Sequence, residues 1–460
     1  MAKSTAAKED TQLQWWQLSL LGVACTIGTG YFLGTGLGIR IGGPSILIAF
    51  VLAALGTYIV FDVLAQMTAK EPEQGSFRSY AKKAFGRWAG FSSGWVYWSS
   101  ELLIMGSQLT ALSLFTRFWL PGLPLWLLAC GYAILGLAVL FMGTKGFDRV
   151  ENVLAVIKIA AIVMFLVIAV IALLGWVGGG KHSPSFPTTA KEFFPASWKG
   201  SWSSVIFAFY AFGGIEIIGL MAIRLKNPAD APKAGKMMLI LLASVYIISV
   251  GLAVTLLPWS AFTGKESPFI AALKSYDLPF VPHVFNAVLI IAGFSTMVAS
   301  LFAVTTMLVT LAGDGDAPKL FAIKVRKKLA LPAIALTAAG MAASIVLALL
   351  IPGKIYEYVT TAAGLLLLYN WLFILITAGK LLQLTPFGQI KRYAGMVLIL
   401  IGVTGTLFHG MSRPGFWISL LFIGLIGIVT LLMQWKWKKQ KGGAALHRPL
   451  KKRKIVNQRT

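Results

Sequence analysis

The sequence predicts an all-α integral membrane protein, and its composition, its apolar runs and its pattern of basic residues each support that class. Of the 460 residues, 57% are hydrophobic and only 12% are charged, whereas an average soluble domain is about a quarter charged. The mean hydropathy of +0.78 indicates that most of the surface faces lipid. These values exclude a soluble enzyme, a disulfide-built secreted domain and a disordered chain.

Apolar runs long enough to cross a bilayer, about 20 residues for a helix, recur along the chain. They lack the alternation of barrel strands and lie between glycine and proline residues, so helices are the predicted form. Twelve transmembrane helices are predicted, over residues 17–38, 44–69, 88–115, 122–142, 150–176, 200–223, 237–258, 282–312, 332–351, 356–380, 394–410 and 415–435.

The 41 lysines and arginines are concentrated in every second connecting segment. Because basic residues favour the cytoplasmic side, this alternation predicts cytoplasmic N- and C-termini and an even number of spans. The tail over 436–460 contains no acidic residue. Nucleic acid is one conceivable partner of such a tail, but we favour an anchor on anionic membrane lipid and predict no nucleic-acid partner.

Catalytic and metal-binding patterns are missing from the sequence. Cys25 and Cys130 lie in apolar runs and form no metal-ligand motif, and the histidines are scattered. No paired aspartates, HExxH helix or nucleophile–base set is present, which excludes a membrane enzyme. A channel is disfavoured because no symmetric filter motif is visible. We therefore predict neither a metal site nor a cofactor.

Two of the predicted spans are interrupted by glycine. The first contains GVACTIGTGYFLGTGLG (22–38) and the sixth contains FAFYAFGGIEIIG (207–219). An interior glycine costs about 1 kcal/mol relative to alanine in a helix. Close packing through small residues is one explanation. Because the segments occupy corresponding places in two five-helix halves, the favoured explanation is a pair of unwound segments that form a transporter site.

Unwound backbone at mid-membrane would suit a zwitterion. The start of a half-helix carries a partial positive charge, and the end of one carries a partial negative charge. An amino acid would place its carboxylate on the N–H groups near Gly28–Gly30 and its ammonium on the carbonyls near Tyr210–Phe212.

Ionisable side chains within or beside the predicted spans are Asp62, Glu101, Lys158, Glu216 and Glu357. Each costs about 2.5–3.5 kcal/mol at the centre of a membrane helix, so each needs a partner or a function. Lys158 lies in an otherwise apolar run. Burial disfavours the charged form of its ammonium, which would let it take up and release a proton during transport. The alternative is a fixed ion pair or a contact to backbone carbonyls.

Several motifs follow one another in a fixed order. They are IGTGYFLGTG (27–36), EPEQGSFRSYAKKAFG (71–86), GWVYW (94–98), FGGIEIIG (212–219) with KNPADAPKA (226–234), and LAGDGDAPKLF (311–321). With these motifs the chain, from about Trp15 to Arg392, resembles an amino acid permease of the amino acid–polyamine–organocation superfamily. One motif would be a weak signal, but this ordered set with the right spans between its members is a strong one.

The resemblance implies a LeuT-like fold. Two inverted five-helix repeats would cover 17–176 and 200–380, and two further helices would lie within 381–435. A cytoplasmic N-terminus (1–16) and an extracellular loop (177–199) complete the layout. The resemblance also implies a secondary active transporter in the plasma membrane that imports amino acids by alternating access. The usual driving force in such proteins is a proton gradient, and a contribution of sodium stays open.

The family's binding residues map onto this chain residue by residue. The turn that binds the substrate carboxylate corresponds to Ile27, Gly28, Thr29 and Gly30. The segment that binds the ammonium and gates the side chain corresponds to Tyr210, Ala211 and Phe212.

Proton coupling in the family maps onto the fifth, sixth and eighth helices. Lys158 corresponds to the fifth-helix lysine of proton-coupled members, and Glu216 corresponds to the sixth-helix carboxylate. Ser295 is the expected eighth-helix neighbour of Lys158.

Four positions depart from the family pattern. Gln66 and Arg224 stand where glutamate is common, Thr306 stands where arginine is common, and Glu101 stands where an aromatic or apolar residue is usual. We interpret these departures as re-paired charge contacts on the cytoplasmic side.

The aromatic residues of the sixth span bear on the substrate. Phe209, Tyr210 and Phe212 would form an apolar side-chain pocket, which predicts a neutral or hydrophobic L-amino acid. If Glu101 faces the cavity, a cationic amino acid becomes the better expectation. Alternatives on the same fold are a cationic amino acid or polyamine transporter or exchanger, and a non-transporting amino-acid sensor.

Overall fold

The computed structural model of the chain describes residues 13–180, 183–264, 266–323, 330–350 and 355–446. The start of the predicted N-terminal segment (1–12) and the end of the predicted basic tail (447–460) lie outside the described residues. The described chain is almost wholly helical, which confirms the predicted all-α class.

The helices are numbered α1 to α17 in chain order. Their bounds are α1 Trp15–Thr26, α2 Thr35–Gly42, α3 Ile46–Lys70, α4 Phe77–Phe85, α5 Arg87–Thr116, α6 Leu125–Phe141, α7 Gly143–Leu173, α8 Ala190–Phe193, α9 Ser197–Ala211, α10 Ile215–Met221, α11 Ala231–Leu256, α12 Pro268–Leu273, α13 Val281–Gly313, α14 Leu331–Leu350, α15 Ile355–Leu381, α16 Pro386–Gly405 and α17 Arg413–Leu446. A π-helical turn, Gly30–Gly34, leads directly into α2.

Several of these helices are suited to a membrane. By length and composition, six stretches of the described chain can cross a bilayer: Gly30–Lys70, Arg149–Leu173, Pro228–Leu256, Val281–Gly313, Tyr356–Leu381 and Arg413–Lys439. Two shorter apolar helices are Leu125–Phe141 and Leu331–Val346. The full layout of twelve spans, and its division into two inverted repeats, stay predictions.

The first apolar helix is broken where the glycines are. α1 ends at Thr26, and Ile27 adopts an extended conformation with φ −71° and ψ 105°. The N–H groups of Tyr31 and Phe32 then both donate to the carbonyl of Gly28, at 3.1 and 3.0 Å. The extended residue leaves carbonyls at the end of α1, and N–H groups at the start of the next segment, without helical partners.

The second break separates α9 from α10. Gly214 has φ +109°, a backbone conformation that is accessible to glycine and strained for other residues. A Cβ atom on Gly214 would also lie 3.2 Å from the carbonyl oxygen of Cys25. This break therefore requires glycine for its backbone angle, and it lies directly against the end of α1.

The long helix α5 supports both breaks. It packs against α13 and α15, while α1 packs against α7, α10 and α11. Large side chains such as Tyr97 on α5 and Trp371 on α15 are fully buried in this core. The arrangement surrounds the two breaks with packed helices.

Candidate functional site

A small cavity lies where the two helix breaks meet. Its volume is about 30 Å³, which is room for one or two water molecules. Both breaks, α5 and α13 contribute to its wall. The lining residues are Cys25, Thr26, Gly28, Thr29, Gly30, Glu101, Ile104, Gln108, Tyr210, Gly213, Gly214, Thr296 and Ser300.

The end of α1 is capped by a lysine from α7. Lys158 is fully buried, and its Nζ donates a hydrogen bond of 2.5 Å to the carbonyl oxygen of Ala24. The last carbonyls of a helix lack helical partners and carry a partial negative charge. A positive charge at such an end gains up to about 2 kcal/mol in partly buried geometries. Lys158 thus occupies the negative end of α1.

The start of α10 is capped by a carboxylate from its own first turn. Oε1 of Glu216 accepts a hydrogen bond of 3.1 Å from the N–H of Gly214. Oε2 accepts one of 3.2 Å from the indole N–H of Trp371. Glu216 is fully buried, and each of its oxygens has a donor. The positive end of α10 is therefore occupied by a charge that belongs to the chain itself.

The other two helix ends at the breaks carry no charge of the chain. They are the N–H groups of Gly28, Thr29 and Gly30, and the carbonyls of Tyr210 and Ala211. The Tyr210 carbonyl accepts from the N–H of Gly213, and the Ala211 carbonyl accepts from the hydroxyl of Tyr246, both at 3.0 Å. A carbonyl oxygen has two lone pairs and can accept once more. Across the described residues, no charged side chain bonds to either of these ends.

The backbone at Gly30 lies unusually close to α9. A Cβ atom on Gly30 would lie 2.9 Å from the ring of Tyr210 and 3.0 Å from its carbonyl oxygen. One turn further along, a Cβ atom on Gly34 would meet the same ring only at 3.8 Å. The absence of a side chain is therefore needed at Gly30 and not at Gly34.

The eight predicted binding residues fall into two groups. Gly28, Thr29, Gly30 and Tyr210 line the cavity. The other four predicted residues do not line the cavity; they are Ile27, Phe209, Ala211 and Phe212.

Phe209 and Phe212, predicted as pocket walls, are not among the residues that line this cavity. The ring of Phe209 packs against Trp371, with a centroid distance of 6.2 Å. The ring of Phe212 packs against Tyr246 at 5.1 Å. Both side chains point into the helix core and away from the cavity, which is more polar than the sequence suggested.

Glu101 faces this cavity from α5. Its side chain is 1% exposed, and no positively charged side chain of the described residues pairs with it; its polar neighbours are Tyr97, Ser300 and Glu216. Gln108, seven residues further on and hence on the same face of α5, also lines the cavity, and its Oε1 is buried without a partner. The interpretation of Glu101 as a cytoplasmic charge contact is therefore wrong.

Ser295 reaches a different partner from the one that was predicted. Its hydroxyl donates a hydrogen bond of 2.6 Å to Oε2 of Glu151, a fully buried carboxylate on α7. Glu151 precedes Lys158 by seven residues, so both lie on one face of α7. Glu151 is not identified from the sequence, because it stands at the start of a predominantly apolar run. The spacing of seven was the available signal.

The remaining ionisable groups and departures have partners or lie apart from the cavity. Asp62 pairs with Lys391 at 2.5 Å and accepts a hydrogen bond from Gln66 at 3.1 Å, so Gln66 does join a charge contact. Glu357 lies 4.0 Å from Arg40. The carbonyl of Arg224 accepts from the N–H of Leu13 at 2.8 Å, and Thr306 is exposed.

A second set of charges, the Arg78 cluster, joins α4 and α5 to the segment after α13. It consists of Arg78, Lys82, Arg87, Asp314 and Asp316. Arg78 is fully buried; it donates to Asp314 at 2.8 Å and to Asp316, which Arg87 also contacts at 2.7 Å. Lys82 reaches Asp314 from the surface at 2.9 Å. Partial burial acts to raise the pKa of Asp314, but hydrogen bonds from Lys82 and Arg78 outweigh it and hold that pKa below its usual range.

Comparison with known proteins defines the class. The family model described as "Amino acid permease" matches residues 17–444. An uncharacterized transporter of Bacillus subtilis strain 168, YcgH, is 55% identical over 436 residues, which cover 95% of this chain and 98% of that protein. An aromatic amino acid transport protein of Corynebacterium glutamicum, AroP, is 30% identical over 387 residues, or 83% of each chain. AroP of Escherichia coli K12 is 28% identical over 417 residues, or 90% of this chain and 88% of that protein.

The chain belongs to the amino acid permease family. The family and the apolar helices make it a multi-pass membrane protein, and its relatives are transporters and permeases. The predicted membership of the amino acid–polyamine–organocation superfamily is thereby confirmed.

Proposed function

We propose that the protein imports amino acids across the plasma membrane by proton symport with alternating access. The observation that carries the proposal is the division of the four helix ends at the two breaks. Two ends hold charges of the chain, Lys158 and Glu216. The other two ends have opposite partial charges, and Gly28, Thr29, Gly30 and Tyr210 from these ends line the cavity.

The two open ends match the two charges of an amino acid. The N–H groups of Gly28–Gly30 would bind the carboxylate, as helix N-termini commonly bind anions. The carbonyls of Tyr210 and Ala211 would accept from the ammonium. Because Lys158 and Glu216 already fill the competing ends, the zwitterion has only one favourable orientation.

The size of the cavity supports a moving transporter. At about 30 Å³ it cannot hold a whole amino acid, so the helices that line it must separate for substrate to enter and leave. α1 ends at the first break, and α10 begins at the second. Both helices are short, so they can move without unwinding a long helix. Alternating exposure of the cavity to the two sides of the membrane would follow from such movements.

Lys158 is the proposed proton carrier. As an ammonium it donates to the carbonyl of Ala24 and holds the end of α1. A neutral amine would bind that carbonyl more weakly, because hydrogen bonds from charged donors are about twice as strong. Loss of the proton would therefore release α1. Glu151 and Ser295 would stabilise the charged lysine from the next turns of α7 and from α13, and Glu216 would fix α10.

Orientation and lipid contacts complete the proposal. Both termini would be cytoplasmic, and the basic tail from residue 436 would lie on anionic lipid. The repeats over 17–176 and 200–380 would rock against each other around the cavity. An exchanger or a non-transporting sensor of the same fold is the competing function.

Transport into proteoliposomes tests the function. Vesicles that contain the purified protein should accumulate a radiolabelled amino acid when the interior is made alkaline, and should not do so after a protonophore is added. The substrate is found by screening the twenty amino acids. If none is accumulated or exchanged while the protein remains folded, the transport proposal is wrong.

The variant Lys158→Ala tests the coupling. It should abolish accumulation driven by the pH gradient but retain exchange of labelled for unlabelled substrate. Lys274→Ala, an exposed lysine paired with Glu266 at 3.4 Å, is the matched control and should behave as the wild type. Unchanged pH dependence in Lys158→Ala would remove the role assigned to Lys158.

A further inference from the structure

We propose that Glu101 binds the positively charged side-chain group of the substrate, so that the cavity selects amino acids with an ammonium or guanidinium side chain. The inference rests on the proposed function and deepens it, since it names the substrate class. It departs from the expectation of a neutral substrate, which depended on Phe209 and Phe212 as walls of the pocket.

Glu101 is a buried carboxylate of the cavity that pairs with no positively charged side chain of the described residues. Its two oxygens are enclosed, and their polar neighbours are Ser300, Tyr97 and Glu216. A buried carboxylate without a positive partner is costly, and such groups are normally paired. Glu216 adds a second acidic group, while its own oxygens are already bonded to Gly214 and Trp371. The hydroxyls of Tyr97 and Ser300 are neutral and supply no positive charge.

The ligand is the remaining source of positive charge. The two charged groups of the amino acid backbone have places at the open helix ends, so neither needs Glu101. The third group of the substrate, its side chain, would lie against α5. Here Glu101 offers two acceptor oxygens and Gln108 offers one more on the same face. Ammonium carries three N–H donors and guanidinium carries five, which suits a wall of acceptors.

A proton on Glu101 is the competing explanation. A protonated carboxyl would need no cation, and the cavity would then accept neutral side chains. The two explanations differ in one measurable property: a cation site distinguishes a charged side chain from an uncharged one of the same shape, and a protonated carboxyl does not.

Binding to the purified full-length protein separates these cases. L-Arginine is compared with L-citrulline, and L-lysine with L-norleucine, because each pair differs mainly in side-chain charge. Isothermal titration should give tighter binding of the charged member, by about tenfold or more. In Glu101→Gln, which keeps the shape and removes the charge, both members of a pair should bind alike. Glu192→Gln, an exposed carboxylate on the short helix α8, is the control and should keep the preference.

The binding measurements can overturn the assignment of Glu101 in several ways. Equal or tighter binding of citrulline and norleucine by the wild type, or preference for leucine and phenylalanine, overturns the assignment of Glu101 and leaves amino-acid transport intact. A preference that survives in Glu101→Gln also overturns it, and a changed pH dependence in that variant without a changed preference assigns the proton to Glu101 instead. If Glu101→Gln fails to fold, the wild-type comparison of isosteres still decides. Failure of all twenty amino acids to bind would instead count against the proposed function.

Discussion

The Arg78 cluster and the central cavity treat buried carboxylates in opposite ways. In the cluster, buried Asp316 is held by Arg78 and Arg87. In the cavity, Glu101 is equally buried, and no positively charged side chain of the described residues pairs with it. Removing one partner of a buried ion pair lowers stability strongly, because the other charge is left unpaired in the interior. The cluster is therefore paired within the chain, whereas the proposal is that the bound substrate supplies the missing positive charge in the cavity.

The sharpest test of this comparison is the removal of the buried arginine. Arg78→Ala leaves buried Asp316 with the partly exposed Arg87 as its remaining cation, and should lower the free energy of unfolding by about 3 kcal/mol, the low end of the range for removing one partner of a buried pair. Lys82→Ala is the control on the same helix as Arg78. Lys82 pairs with Asp314 but is 37% exposed, so its removal should lower the free energy of unfolding by less than about 1 kcal/mol. Denaturant unfolding of the purified protein measures both. Equal losses in the two variants would show that burial does not separate these pairs.

Variants of Gly30 test the other region of this comparison, the cavity. Gly30→Ala should weaken amino-acid binding by about ten- to a hundredfold, because the new Cβ atom overlaps Tyr210 and overpacking costs about 1–3 kcal/mol. The larger change Gly30→Leu should block binding. Gly34→Ala introduces only an ordinary contact at 3.8 Å and serves as the control. Normal affinity in Gly30→Leu would mean that the carboxylate site is misplaced.

The smallest expected effect concerns Ser295. Ser295→Ala removes a donor from buried Glu151 and should cost about 1–3 kcal/mol of stability. Thr404→Ala, an exposed hydroxyl bonded within its own helix at 2.7 Å, should cost almost nothing. Thermal unfolding compares them. In the double variant with Glu151→Gln the penalty for losing Ser295 should shrink, because no charge is then stranded; an unchanged penalty would contradict the pairing.

The sequence predicted much of the fold because the signals were local. Long apolar runs predict helices, and glycine-rich stretches predicted both breaks. The contact of Lys158 with a backbone carbonyl was one of the two alternatives that its apolar surroundings left open.

Other features depend on contacts that local patterns do not contain. The direction of the Phe209 and Phe212 rings follows from how α9 packs beside the break, which residue types alone do not determine. The sequence left open whether Glu101 faces the cavity, because α5 mixes small, polar and apolar residues and gives no clear inward face. Arg78 and Asp316 are far apart in the chain, so only the assembled helices reveal their pairing.

One consequence follows from the position of Cys25. Cys25 lines the cavity beside Gly214 and is 4% exposed, and the other cysteine, Cys130, lies on α6. With Cys130 replaced by serine, a maleimide reagent would reach Cys25 only while the two breaks are apart. The rate of alkylation of this native cysteine would then report how often the helices around the cavity separate.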